Sequence, residues 1–102
     1  MPVLNTLHGM EEIMVKGKIV VTNQSGLHLR PAGLLCKEAM RFKSQILIRM
    51  NESIANAKSV LSVLGACVKC GDEIELVCQG DDEEDAFLMI KELIESGLEE
   101  EQ

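Results

Sequence analysis

The stretch Ser25-Gly26-Leu27-His28-Leu29-Arg30-Pro31-Ala32 brings together residue types that handle an anion. Proline in a first-turn position sacrifices no helical hydrogen bond, so Leu29-Arg30-Pro31 marks the start of a helix with His28 just ahead of it. The first turn of a helix presents N–H groups that have no partner within it, and its dipole amounts to about half a positive charge. An anion belongs at such a point, and a phosphate fits. His28 supplies a nucleophilic ring nitrogen, Arg30 a guanidinium that pairs with phosphoryl oxygens, and Gly26 lets backbone come close. No serine nucleophile arrangement, no carboxylate pair beside His28 and no glycine-rich nucleotide loop accompanies them. The chemistry these residues suggest is holding and passing on a group, not turnover of a small substrate.

Other residues carry weaker signals. Ser59 precedes Val60-Leu61-Ser62-Val63-Leu64, a short helix that it caps, with Gly65 near its end. That helix is too short to bury Val60, Leu61 and Leu64 together. Lys37 and Arg41 fall at i, i+4 on the helix that follows His28, where they add positive charge toward acidic partners. Cys67-Val68-Lys69-Cys70 has the C-x-x-C spacing of redox and zinc sites. A structural zinc needs two further ligands, whereas Cys36 reads as buried in a helix and Cys78 as buried in a strand, each a small hydrophobe. The expectation is no metal, no cofactor and four free thiols. His8 has no partner legible in the sequence.

The elements that position these residues follow from periodicity. From Val15, Ile19 and Val21 share one face of a strand that ends in the turn chemistry of Thr22 to Gly26. Ala32, Leu35, Cys36, Ala39 and Phe42 recur at helical spacing after Pro31. Ile46, Ile48 and Met50 alternate with Gln45, Leu47 and Arg49 in a second strand, and Asn51-Glu52 turns it into a third over Ser53 to Ala57, with Glu52 where glycine is easier. Ile74, Leu76 and Cys78 line one face of a fourth. The last helix opens at Asp81 or Asp82, whose carboxylate is expected to cap it, and buries Ala86, Phe87, Ile90, Leu93 and Ile94 before ending near Gly97. The order is βαββαβα, an α+β open-faced sandwich with a four-stranded antiparallel sheet and three helices on one face.

Length and composition agree with a single small domain over 15–98, flanked by a loosely ordered extension over 1–14 and an acidic tail over 99–102. Two Phe and no Tyr or Trp among 102 residues leave no aromatic platform for bases, and a formal charge of −7 repels a phosphate backbone. Nucleic acid is therefore excluded as the main partner, and protein partners are favoured. No apolar run reaches the roughly 18 residues of a membrane span, so no membrane insertion and a cytoplasmic location are expected, with the cysteines kept reduced.

Gly26-Leu27-His28-Leu29-Arg30-Pro31-Ala32 resembles the active-site signature of the HPr family of histidine-containing phosphocarriers in the bacterial sugar phosphotransferase system. Ala57-Lys58-Ser59-Val60-Leu61-Ser62-Val63-Leu64 resembles that family's regulatory serine segment, at the family's spacing. The likeness continues through Gly71-Asp72-Glu73-Ile74 and Gly80 to Ala86 and covers about Val15 to Leu98. It implies a monomeric, non-enzymatic phosphoryl carrier that takes phosphate on His28 from phosphorylated Enzyme I, with Arg30 neutralising it, and passes it to IIA domains of sugar permeases. It implies that Ser59 is a phosphorylation site for an HPr serine kinase, and that Leu61 and Leu64 form an apolar docking patch. The alternative it carries is a regulatory module acting through phosphorylated Ser59 on a transcription regulator, although dedicated modules of that kind lack the histidine kept here. Met40 and Ser62 stand where some family members have lysine, and Cys67 where glycine is frequent.

Overall fold

A computed structural model describes residues 14–98. The expected N-terminal extension, apart from Met14, and the acidic tail lie outside the described residues. The elements are β1 (Val15–Val20), α1 (Leu29–Ala39), β2 (Gln45–Met50), β3 (Ser53–Asn56), α2 (Val60–Gly65), β4 (Glu73–Gln79) and α3 (Glu83–Glu95). The strands form one antiparallel sheet in the order β1-β4-β2-β3, the expected βαββαβα open-faced sandwich.

Register explains why one face is covered. Ile19 lies opposite Ile74, Ile48 opposite Leu76 and Ile46 opposite Cys78, so strand alternation places all six on the buried face. Lys18, Arg49, Glu73 and Glu75 occupy the opposite face, where Arg49 and Glu75 approach to 3.7 Å. Gly17 shares the buried face with Ile19, and a Cβ there would come within 2.9 Å of the Phe87 ring; its absence lets α3 lie close on β1. Ala86, Ile90 and Ile94 of α3 and Ala32, Leu35 and Ala39 of α1 complete an aliphatic core. Each large side chain sealed in it contributes about 1.5–3 kcal/mol.

Three local expectations need correction. The left-handed residue in the β2–β3 turn is Asn51 (φ 57°), not Glu52; asparagine tolerates that conformation, so no glycine is needed. Cys36 is half-buried instead of sealed in the core, and its thiol donates to the Lys58 carbonyl at 3.1 Å, tying α1 to the segment before α2. Asp82 occupies the N-cap position of α3, yet its carboxylate does not cap the helix. It accepts from the Lys43 and Ser44 amides, each at 2.9 Å, and from the Ser44 hydroxyl at 2.5 Å, fastening the start of α3 to the start of β2. These hydrogen bonds, the Ser44 hydroxyl foremost and then the Lys43 amide, hold the Asp82 carboxyl down at about 2.

Candidate functional site

The loop before α1 is built around Asn23. Its buried side-chain amide donates to the Gly26 carbonyl at 2.6 Å, and the Gly26 amide returns a bond to the Asn23 carbonyl at 3.0 Å. Gly26 has φ 65°, and a Cβ on it would lie 2.4 Å from the Val68 carbonyl oxygen and 2.7 Å from the Lys69 Cα. The close approach expected of Gly26 is therefore to the backbone of the loop between α2 and β4. That contact is locked by the Leu27 amide, which donates to the Val68 carbonyl at 3.0 Å.

Buried Leu27 anchors the chain on one side of the histidine, and buried Pro31 and Ala32 anchor it on the other. His28, Leu29 and Arg30 are thus held outward as three consecutive exposed residues. His28 is the N-cap of α1, in an extended conformation, and makes no capping bond through its side chain, so the ring is not spent on the helix. Pro31 has no N–H, and the Ala32 amide donates to the His28 carbonyl at 2.7 Å. The amides of Leu29 and Arg30 remain as the first-turn donors without an acceptor inside the helix. No acidic residue lies in that turn, and among the described residues Arg30 forms no ion pair. The arrangement offers an anion two backbone donors, the positive end of a helix dipole and a guanidinium, beside a nucleophilic nitrogen.

Next to the ring is an open depression of about 300 Å³ lined by Ser25, Leu27, His28, Leu64, Cys67, Val68 and Lys69. Leu64 reaches it from α2, which packs against α1. Leu61 is 81% exposed on the same helix, whereas Leu64 is half-buried against the core, so the two differ in how much surface they offer a partner. Ser59 caps α2 as expected: its hydroxyl accepts from the Ser62 amide at 3.2 Å, while the Ser62 hydroxyl accepts from the Asn56 amide at 2.8 Å.

Lys37 and Arg41 do not both lie on the helix as expected. The helix stops at Ala39, leaving Arg41 beyond its end, where it is paired with Glu38 at 3.1 Å; neither Lys37 nor Arg41 lines the depression. Cys67 and Cys70 are exposed and Cys78 is buried; all four cysteines are free thiols. Among the described residues no three His, Cys, Asp or Glu side chains are grouped to hold a metal ion. Burial first, then the Glu83 and Asp82 carboxylates, pushes the Cys78 thiol up to about 11. Cys67 takes a left-handed conformation (φ 54°) at the end of α2, the conformation glycine adopts at less cost. Sequence reasoning set Lys69 aside within the C-x-x-C spacing and gave Cys67 no place near His28. Their neighbourhood depends on a loop distant in sequence folding under Gly26.

A family described as the PTS HPr component phosphorylation site matches residues 15–96, nearly all of the described domain. The chain belongs to the HPr family, the phosphocarrier proteins of the phosphotransferase system. It is 40% identical over 88 residues to the phosphocarrier protein HPr of Treponema pallidum, a match covering 86% of this chain and all of that one. It is also 38% identical over 74 residues to the HPr-like protein Crh of Bacillus subtilis, covering 72% of this chain and 87% of Crh. The crystal structure of HPr-C-His from Thermoanaerobacter tengcongensis superimposes with a TM-score of 0.82 at 38% identity, covering 86% of this chain and 99% of that chain. Among the described residues no helix is long and apolar enough to cross a membrane.

Proposed function

We propose that the chain carries a phosphoryl group on His28, accepting it from phosphorylated Enzyme I and giving it to IIA domains of sugar permeases. The observation that carries this reading is the open start of α1: an exposed histidine without a capping bond, held between buried anchors, with unused amides and Arg30 beside it. Leu61 and Leu64 belong to the docking surface, Leu61 as its protruding part and Leu64 as the floor beside His28. The test is incubation with phosphoenolpyruvate and Enzyme I. The chain should gain one acid-labile, alkali-stable phosphate, and His28→Ala should gain none while melting like the wild type, since the exposed ring contributes little packing. Phosphate on the His28→Ala variant would end the proposal.

Ser59 is the regulatory position in this reading, and it is favoured by its place at the start of a helix whose far end reaches the His28 depression. A phosphate there adds about −1.5 to −2 charges, which a helix N-terminus tolerates and which an approaching acidic surface does not. The likeness to Crh keeps in view a chain that serves chiefly as a regulatory module on a transcription regulator, but the exposed His28 favours the carrier. Ser59→Asp should slow Enzyme I-dependent phosphorylation in part, and less at high salt, where exposed charges are screened. Rates equal to those of wild type and Ser59→Ala at every ionic strength would reduce Ser59 to a helix cap.

A further inference from the structure

Of the residues lining the depression beside His28, Lys69 alone carries a positive charge. Its ammonium is exposed, and among the described residues it enters no ion pair, although the chain as a whole carries a formal charge of −7. The base of its side chain, by contrast, is fixed. The Lys69 amide donates to the Asp72 carboxylate at 2.8 Å, and the Lys69 carbonyl accepts from the Asp72 amide at 3.0 Å. The Gly71 amide donates to the Val21 carbonyl at 2.7 Å, and the Lys69 Cα lies against Gly26, two residues before the histidine. Asp72 is the nearest acidic residue in the sequence, and one of its carboxylate oxygens is held by the Lys69 amide instead of the ammonium. The result is an unpaired cation whose stem starts on a hydrogen-bonded turn beside His28.

We propose that Lys69 is the second cation of the phosphoryl site, meeting with Arg30 the oxygens of a phosphoryl group once it is on His28. The proposal rests on the carrier reading and names a further residue of the same site. On acceptance, the lone pair of a His28 ring nitrogen forms the new bond to phosphorus while the donor's bond to phosphorus breaks, its electron pair leaving on the donor atom. Lys69 exchanges no proton or electron in that step. It stabilises the added negative charge, which matters more in a chain already this acidic. Arg30 binds as a planar fork from the helix start, whereas Lys69 acts as a mobile point charge from the neighbouring loop, so the group is held without being enclosed.

The test compares wild type, Lys69→Gln and Lys69→Arg in Enzyme I-dependent phosphorylation, with the phosphorus NMR signal of each phosphorylated protein followed against pH. Lys69→Gln should accept phosphate roughly fivefold more slowly at low salt and less so at high salt. Its phosphorus signal should titrate about half a pH unit higher, since a lost cation makes the second phosphoryl proton harder to remove. Lys69→Arg should retain both properties, and melting should be unchanged because the side chain is exposed. A slower rate with an unshifted phosphorus titration would place Lys69 in partner docking and overturn the proposal, as would a Gln variant identical to wild type in both. A wild-type chain that takes no phosphate removes the carrier reading itself, an outcome distinct from failure of the lysine assignment.

Discussion

Two helix starts in this domain treat the same electrostatic problem in opposite ways. At α3, Glu83, Glu84 and Asp85 occupy the first turn, and the Glu83 carboxylate accepts from the Gly80 amide at 3.0 Å. The dipole there is answered by the protein's own charges, and the N-cap Asp82 is free to bind elsewhere. At α1 the first turn has no acidic residue, the cap is a histidine without a capping bond, and proline removes one donor. A structural helix start and a receptive one differ by which end supplies the anion: α3 brings its own, and α1 leaves the position to a ligand.

Removing the guanidinium from the receptive end should have the largest effect on this contrast. Arg30→Ala should still accept phosphate but lose a charge-assisted partner worth on the order of 1.5–3 kcal/mol, roughly a tenfold to hundredfold slowing of transfer to a IIA domain. Rapid-quench transfer rates check it, and an unchanged rate would take Arg30 out of the site. Making α1 resemble α3 should act more mildly. Leu29 is 61% exposed, so Leu29→Glu places a carboxylate in the first turn with little cost to the core. Stability should rise by about 0.3–1 kcal/mol, while phosphorylation slows by about five- to thirtyfold. Opposite signs in the two measurements are the point; a gain in both would mean that an empty anion site is not what matters at α1.

The smallest effect on transfer should come from the other helix. Asp82→Asn leaves His28 untouched and weakens the tie from α3 to Lys43 and Ser44. Because the folded carboxyl lies at about 2 against a usual 3.8, its contribution to stability is complete above about pH 4 and is lost as pH falls through about 2. Urea midpoints of wild type and variant should therefore differ near neutrality and converge across that window, with phosphorylation rates alike throughout. A constant gap down to pH 2 would assign the effect to shape and not to charge.

Much of this was legible because it is local or periodic. Alternation placed Ile46, Ile48, Ile74, Leu76 and Cys78 on one sheet face, and proline placed the start of α1 within a residue of where it lies. Misreadings arose where a side chain had two possible partners. Asp82 had the right type and position for a cap, but its carboxylate found two amides and a hydroxyl across the fold, which together outbid one helical N–H. Cys36 fell on the apolar stripe of α1, yet that stripe meets α2 at its margin, where the Lys58 carbonyl was available. Arg41 kept the spacing of a helical partner to Lys37 although the helix had already ended. Lys69 was beyond reach of pattern reasoning, since a contact between Gly26 and a loop so far along the chain leaves no trace in the spacing of either segment.

The sealed thiol in β4 also gives the domain a built-in clock. Cys78 has no solvent exposure, and its thiol, held up to about 11, is almost wholly protonated at neutral pH, so a maleimide meets neither a path nor a thiolate while the sheet is closed. Cys67 and Cys70 on the surface are consumed first, and half-buried Cys36 after them. What remains afterwards is a slow phase paced by excursions that bare the strand between β1 and β2, the middle of the sheet. The rate of that phase reads how often the most protected part of the structure comes apart, without denaturant, and a phosphoryl group on His28 that stiffened the whole domain would register as a lengthening of the interval.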